Sequence, residues 1–120
     1  MTDLVASLSS GPGTWIQVMK VIDSPSWNNV FLIAPTFFAS KFQNVKKNVT
    51  VITIDDTKDI SLLIDDIHAA LVSKLGSDME VGLNFASGSG KEHMAILAAL
   101  LKMGKGIRFV AHTEKGIVEL

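Results

Sequence analysis

Two stretches gather the residues best suited to hold or move charge: Ser9-Ser10-Gly11-Pro12-Gly13-Thr14 and Ser87-Gly88-Ser89-Gly90-Lys91. Their glycines, Gly11, Gly13, Gly88 and Gly90, have no Cβ, so a ligand can approach the backbone N–H groups closely. Ser9, Ser10, Thr14, Ser87 and Ser89 add hydroxyls, and Lys91 adds a mobile positive charge. This chemistry suits an anion, above all a phosphate. The plainer alternative is a pair of ordinary tight turns with a surface lysine.

Neither stretch completes a common phosphate-binding pattern. Against G-x-x-x-x-G-K-[ST], Phe85 stands at the first glycine and Glu92 at the metal-binding hydroxyl. Against G-x-G-x-x-G, the run from Gly11 ends in Ile16, and Ala34-Pro35 offers no acidic residue for a ribose. A nucleoside triphosphatase and a dinucleotide enzyme are therefore both disfavoured. His93 is a candidate acid or base, because an imidazole titrates near neutrality; it also reads as a half-exposed helix residue. His68 and His112 fall on other elements, so no pair has metal-ligand spacing and neither a metal nor a cofactor is expected. The chain has no cysteine, which excludes disulfides, thiolate zinc sites and a cysteine nucleophile.

The elements that must position these residues follow from the hydropathy pattern. Strands are predicted over 4–8, 30–34, 49–54, 81–86, 107–111 and 117–120. The residues between 23 and 29 read as a turn. Helices are predicted over 14–22, 36–42, 60–75 and 91–103, with Phe37, Phe38 and Phe42 as core residues of the second. In the third, Ile60, Leu63, Ile64, Ile67, Leu71 and Leu75 form one apolar stripe. Asp56 or Thr57 is its expected cap, and Gly76 its expected left-handed end. Alternation of this kind implies an α/β fold, an open and mostly parallel sheet with helices on both faces. Right-handed crossovers suggest strand order 3-2-1-4-5, with an antiparallel sixth strand on the far edge. Ligands of such sheets bind where the winding reverses, here between strands one and four. The two Ser/Gly stretches leave those two strands, so both should meet at one cleft. Lys105 and Arg108 are expected to face solvent, and Trp15 to be a core residue of the first helix.

The 120 residues fit one domain, 1–120. They are 48% hydrophobic and 19% charged, an apolar balance that suggests a covered surface. Net charge is −1, which argues against coating duplex DNA. The acid concentrates in residues 49–80, with seven acidic and two basic side chains, and reads as a solvated helix face. No apolar run approaches the roughly 20 residues of a membrane span, and the first residues do not read as a signal peptide; a cytoplasmic protein without membrane contact is expected. The helix over 91–103 is apolar all round, beyond what packing on a sheet requires. Its Ala95, Ala98 and Ala99 would let a second helix approach. A homodimer through this helix is the simplest covering, with burial under the C-terminal hairpin as the alternative. Two Ser87–Lys91 loops would then lie near the two-fold axis and favour a symmetric or large ligand.

The chain resembles the CARF family, the CRISPR-associated Rossmann-fold sensors. The element order with its closing hairpin, the loop SLSSGPGTW, and NFASGSGKEHMAILAAL carry the likeness. The last resembles the family's strand, small-residue loop of the Thr-Gly-Gly-Thr-Lys kind, and hydrophobic helix. Lys91 falls on the basic position and Gly88 on a glycine, while serine replaces the usual threonine and Gly90 precedes the lysine. The resemblance implies a homodimer that binds a cyclic oligoadenylate, a second messenger of type III CRISPR immunity, across its two-fold axis. Some members are ring nucleases, resembling metal-independent ribonucleases in which a ribose 2′-OH attacks its own 3′ phosphate. In that case Lys91 would stabilise the phosphoryl oxygens, Ser9 or Ser10 would position the phosphate or ribose, and His93 would act as acid or base. The alternative is a Rossmann-like module that binds another nucleotide or phosphate compound, or serves only interaction, without catalysis.

Overall fold

A computed structural model describes residues 2–9, 12–41 and 48–120. Six strands, β1 (Thr2–Ser7), β2 (Trp27–Pro35), β3 (Val49–Ile54), β4 (Glu80–Asn84), β5 (Gly106–Thr113) and β6 (Gly116–Glu119), form one sheet. The order is β3-β2-β1-β4-β5-β6. All neighbours are parallel except β5 and β6. The helices are α1 (Pro12–Ile22), α2 (Thr36–Ala39), α3 (Ile60–Val72) and α4 (Gly90–Lys102). The α/β architecture and strand order expected from the sequence are those observed.

Alternation along each strand splits the core into two layers. Leu4, Ala6, Val30, Leu32 and Ala34 point to the face covered by α1 and α2, where Val18, Val21 and Ile22 meet them. Val5, Phe31, Ile33, Val81 and Leu83 point to the other face, under Leu63, Ile67 and Leu71 of α3 and Ile96 and Leu100 of α4. Successive side chains of a strand face opposite sides, so strands apolar at every position need helices on both. The chain leaves β1 towards one face and β4 towards the other. That reversal opens the crevice between their carboxyl ends.

Several local expectations change. Trp27 belongs to β2, not to a turn. It is buried against the α1 side, and its indole Nε1 donates to Val21 O at 2.8 Å. Phe37 is 67% exposed and therefore not a core residue; Phe38 packs partly against the core, and Phe42 lies outside the described residues. Helix α3 stops at Val72, before Leu75, and Asp59 rather than Asp56 or Thr57 is its N-cap, without a side-chain bond. Gly76 is not left-handed. Its N–H instead donates to Asp3 Oδ2 at 2.9 Å, tying the end of the α3 segment to β1. Phe85 and Ala86 fall beyond β4, because Asn84 ends the strand by accepting from Ala86 N at 3.1 Å. Ala95 and Ala99 are fully buried in the α3–α4 layer of their own chain. They are used up by packing within the chain, and only Ala98 of the three alanines remains partly exposed. No helix among the described residues is long and apolar enough to cross a membrane.

Candidate functional site

The crevice is built from the last residues of β1 and the turn between β4 and α4. Hydrogen bonding to water is lost where these segments cross, so each buried polar group must find a protein partner. Ser7, Ser9, Ser87 and Glu92 are all buried here, and all are paired. Ser7 Oγ donates to Ser87 O. Ser9 N donates to Ser87 Oγ at 3.1 Å, and Ser9 Oγ donates to Glu92 Oε1 at 2.9 Å. Ser9 O accepts from Trp15 Nε1 at 2.7 Å, which ties half-buried Trp15 to the loop as well as to the core. The two Ser/Gly stretches therefore meet, as the strand order requires.

Helix α4 begins with a reciprocal cap. Ser89 Oγ accepts from Glu92 N at 3.2 Å, and Glu92 Oε1 accepts from Ser89 N at 2.6 Å. The Ser-x-x-Glu spacing is a capping-box signal legible in the sequence. Its further partner, Ser9, is eighty-three positions away and gives no local signal. In consequence the carboxylate of Glu92, a residue with no part in the predicted site, occupies donors from both loops. Gly90 N and Lys91 N are in the first turn, where a helix offers donors without an acceptor of its own; neither has a protein acceptor among the described residues.

Gly88 is left-handed, at φ 109°, and a Cβ there would lie 2.9 Å from His93 Nε2 and 3.0 Å from Ser7 Oγ. Its role is to let this crossing close tightly. Among the described residues nothing lies within 4 Å of where a Cβ on Gly90 would sit. Gly13 and Thr14 lie in the first turn of α1, which opens with Pro12 at a position that lacks an N–H acceptor anyway. Ser10 and Gly11 lie outside the described residues.

His93 stacks on Phe85 with ring centroids 4.3 Å apart, and its Nε2 is 2.7 Å from Ser87 O. A carbonyl oxygen only accepts, so Nε2 carries the proton and Nδ1 is the basic nitrogen of the neutral ring. Lys91 does not turn into the crevice. Its Nζ donates to Asp56 O at 2.9 Å in the β3–α3 loop. Thr57 hydrogen bonds hold Asp55 below the ordinary aspartate value, and Ser61 hydrogen bonds do the same for Asp59, with a smaller contribution from Lys91 to each. Arg108 pairs with Glu80 and with Glu119, and Lys105 donates to Gly76 O and Asp78 O. All lie towards the amino end of β4 and β5, away from the crevice. Among the described residues no group of His, Asp and Glu side chains is placed to hold a metal ion. No protein-family model matches the chain, and a search of curated proteins finds no match.

Proposed function

We propose that this chain is a homodimeric binder of cyclic oligoadenylates. The observation that carries the reading is the cross-bonded pair of loops at the strand-order reversal, beside the Gly90 and Lys91 N–H groups, which have no protein acceptor among the described residues. A phosphodiester is recognised by such donors without a metal. The resemblance of the two loop sequences to the CARF motifs supplies the ligand class. The outer face of α4 supplies the dimer: Met94 is 63% exposed and Leu101 59% exposed, on a helix whose inner face is already filled. A two-fold axis along that helix would bring two crevices together under one symmetric ligand.

Cleavage of the ring is the second reading. It asks for in-line positioning of a 2′-OH and a cation at the phosphoryl oxygens. Lys91 would have to leave Asp56 O to provide that cation, so its placement favours binding over cleavage. His93 Nδ1 is the one basic ring nitrogen beside the loop.

The test is incubation of the pure protein with cyclic tetra-adenylate and cyclic hexa-adenylate, without added metal. Binding by either should raise Tm in a concentration-dependent manner. Mass spectrometry follows the ligand. Intact rings are expected; linear products ending in 2′,3′-cyclic phosphate would establish the nuclease reading. A folded protein that neither binds nor cleaves either ring would remove cyclic oligoadenylates and leave another phosphate compound as the ligand.

A further inference from the structure

We propose that the outer face of α3 is a docking surface for a basic amphipathic helix of another protein. The inner face of α3 is filled: Leu63, Ile67 and Leu71 are buried in the core. On the outside, Leu62 and Val72 are each 54% exposed, and Ala69 is exposed between them. At about 100° per residue these three fall within about 80° of arc. They make an apolar stripe that the chain's own packing does not use. With a rise of about 1.5 Å per residue, Leu62 and Val72 stand about 15 Å apart along the helix, roughly three turns. The small side chain of Ala69 lets a second helix come close between the two larger ones.

Charge decides what can lie there. Between Asp55 and Asp66 the chain has five aspartates and one lysine, and all five aspartates are exposed. Asp65 and Asp66 fall within or beside the apolar arc, and Asp55, Asp56 and Asp59 gather at the head of the helix. Thr57 hydrogen bonds to Asp55 and Ser61 hydrogen bonds to Asp59 hold both below the ordinary aspartate value, so they stay charged near neutrality. Lys58 pairs with Asp66 at 2.8 Å, but both groups are nearly half exposed, and such a pair exchanges partners at little cost. Among the described residues Asp65 has no ion pair. Lys91 reaches the same loop but contacts a carbonyl, Asp56 O. A second copy laid on this face would set carboxylates against carboxylates. The outer face of α4 differs, since that helix has no Asp, Glu, Lys or Arg between Glu92 and Lys102. A partner on α3 must therefore bring apolar side chains along one stripe with lysine or arginine beside them, the pattern of a basic amphipathic helix. This docking is independent of the crevice and its ligand.

The test uses a synthetic amphipathic helix of leucine and lysine, and the same peptide with glutamate in place of lysine. Fluorescence anisotropy gives the affinity, and amide shifts in NMR give the location. The lysine peptide should bind, more weakly as salt rises, with shifts centred on α3; the glutamate peptide should not. Leu62→Ser with Val72→Ser should weaken binding about ten-fold or more. Asp65→Asn with Asp66→Asn should weaken it about five-fold and flatten its salt dependence. All these side chains are exposed, so the fold should survive, and circular dichroism checks that it does. Shifts centred on Met94 and Leu101 overturn the proposal, as does undiminished binding in a folded protein carrying Leu62→Ser and Val72→Ser. A wild-type protein that binds neither peptide, or both alike, overturns it without any variant. Self-association that Leu62→Ser and Val72→Ser abolish would assign the face to a second copy and overturn it as well.

Discussion

Lys91 is the residue whose placement differs most from its sequence context. A lysine after Ser-Gly-Ser-Gly suggests a charge pointed at a ligand, but the ammonium lies over the β3–α3 loop. There it lowers Asp55 and Asp59 slightly, behind the larger contributions of Thr57 and Ser61. Because both folded values are depressed, the unfolded chain binds more protons in the acid range. The linked stability is present above the ordinary aspartate value and is lost as pH falls through the folded values. Both carboxylates are fully exposed, so the effect is local and screened. Carboxyl carbon NMR titration of the wild type should give midpoints below the ordinary value for both residues. In Lys91→Ala both midpoints should rise; unchanged midpoints would mean that the ammonium spends its time elsewhere, the crevice included. Nothing local in the sequence reveals this placement, since Asp56 is thirty-five positions away.

At the scale of elements, the crevice depends on how closely β2, β1 and β4 are drawn together. Trp27, at the start of β2, lies across Gly82 of β4: a Cβ on that glycine would sit 2.8 Å from two ring carbons. The indole cannot withdraw freely, because its Nε1 is bonded to Val21 O. Gly82→Ala should therefore destabilise the fold by about 1–3 kcal/mol, the usual cost of overpacking. Urea unfolding is the direct measurement, and a loss below a few tenths of a kcal/mol would mean that the ring yields. The strands themselves were legible from β-branched runs such as 49–54, whose bounds agree with β3. Their ends were less so. Gly76 has the look of a helix stop, yet serves a long-range bond to Asp3 that no local rule contains. Ser89 and Glu92 carry a local signal, and there the helix start follows it.

For the molecule as a whole, the outer surface of α4, with Met94 and Leu101 exposed, is the feature on which the proposed dimer rests. The proposed dimer would place Met94 and Leu101 in the interface. Leu101→Glu leaves the inner face of α4 untouched, so it should preserve the fold and yield a monomer in sedimentation velocity. A wild-type protein that sediments as a monomer at micromolar concentration would remove the symmetric-ligand argument with the dimer. Ligand binding that survives in a Leu101→Glu monomer would show that one crevice suffices.

The fold class was determined by the sequence alone, because alternating strand and helix patterns, with right-handed crossovers, leave few topologies. That topology also decided that residues after β1 and β4 would meet. It did not decide what they would do on meeting. Which donors remain open depends on bonds between residues about eighty positions apart, Ser9 with Ser87 and Glu92 above all. Such pairings leave no periodicity and no spacing rule in the chain. They exist because burying these polar groups at the crossing requires each to find a partner there, and only the packed structure chooses which.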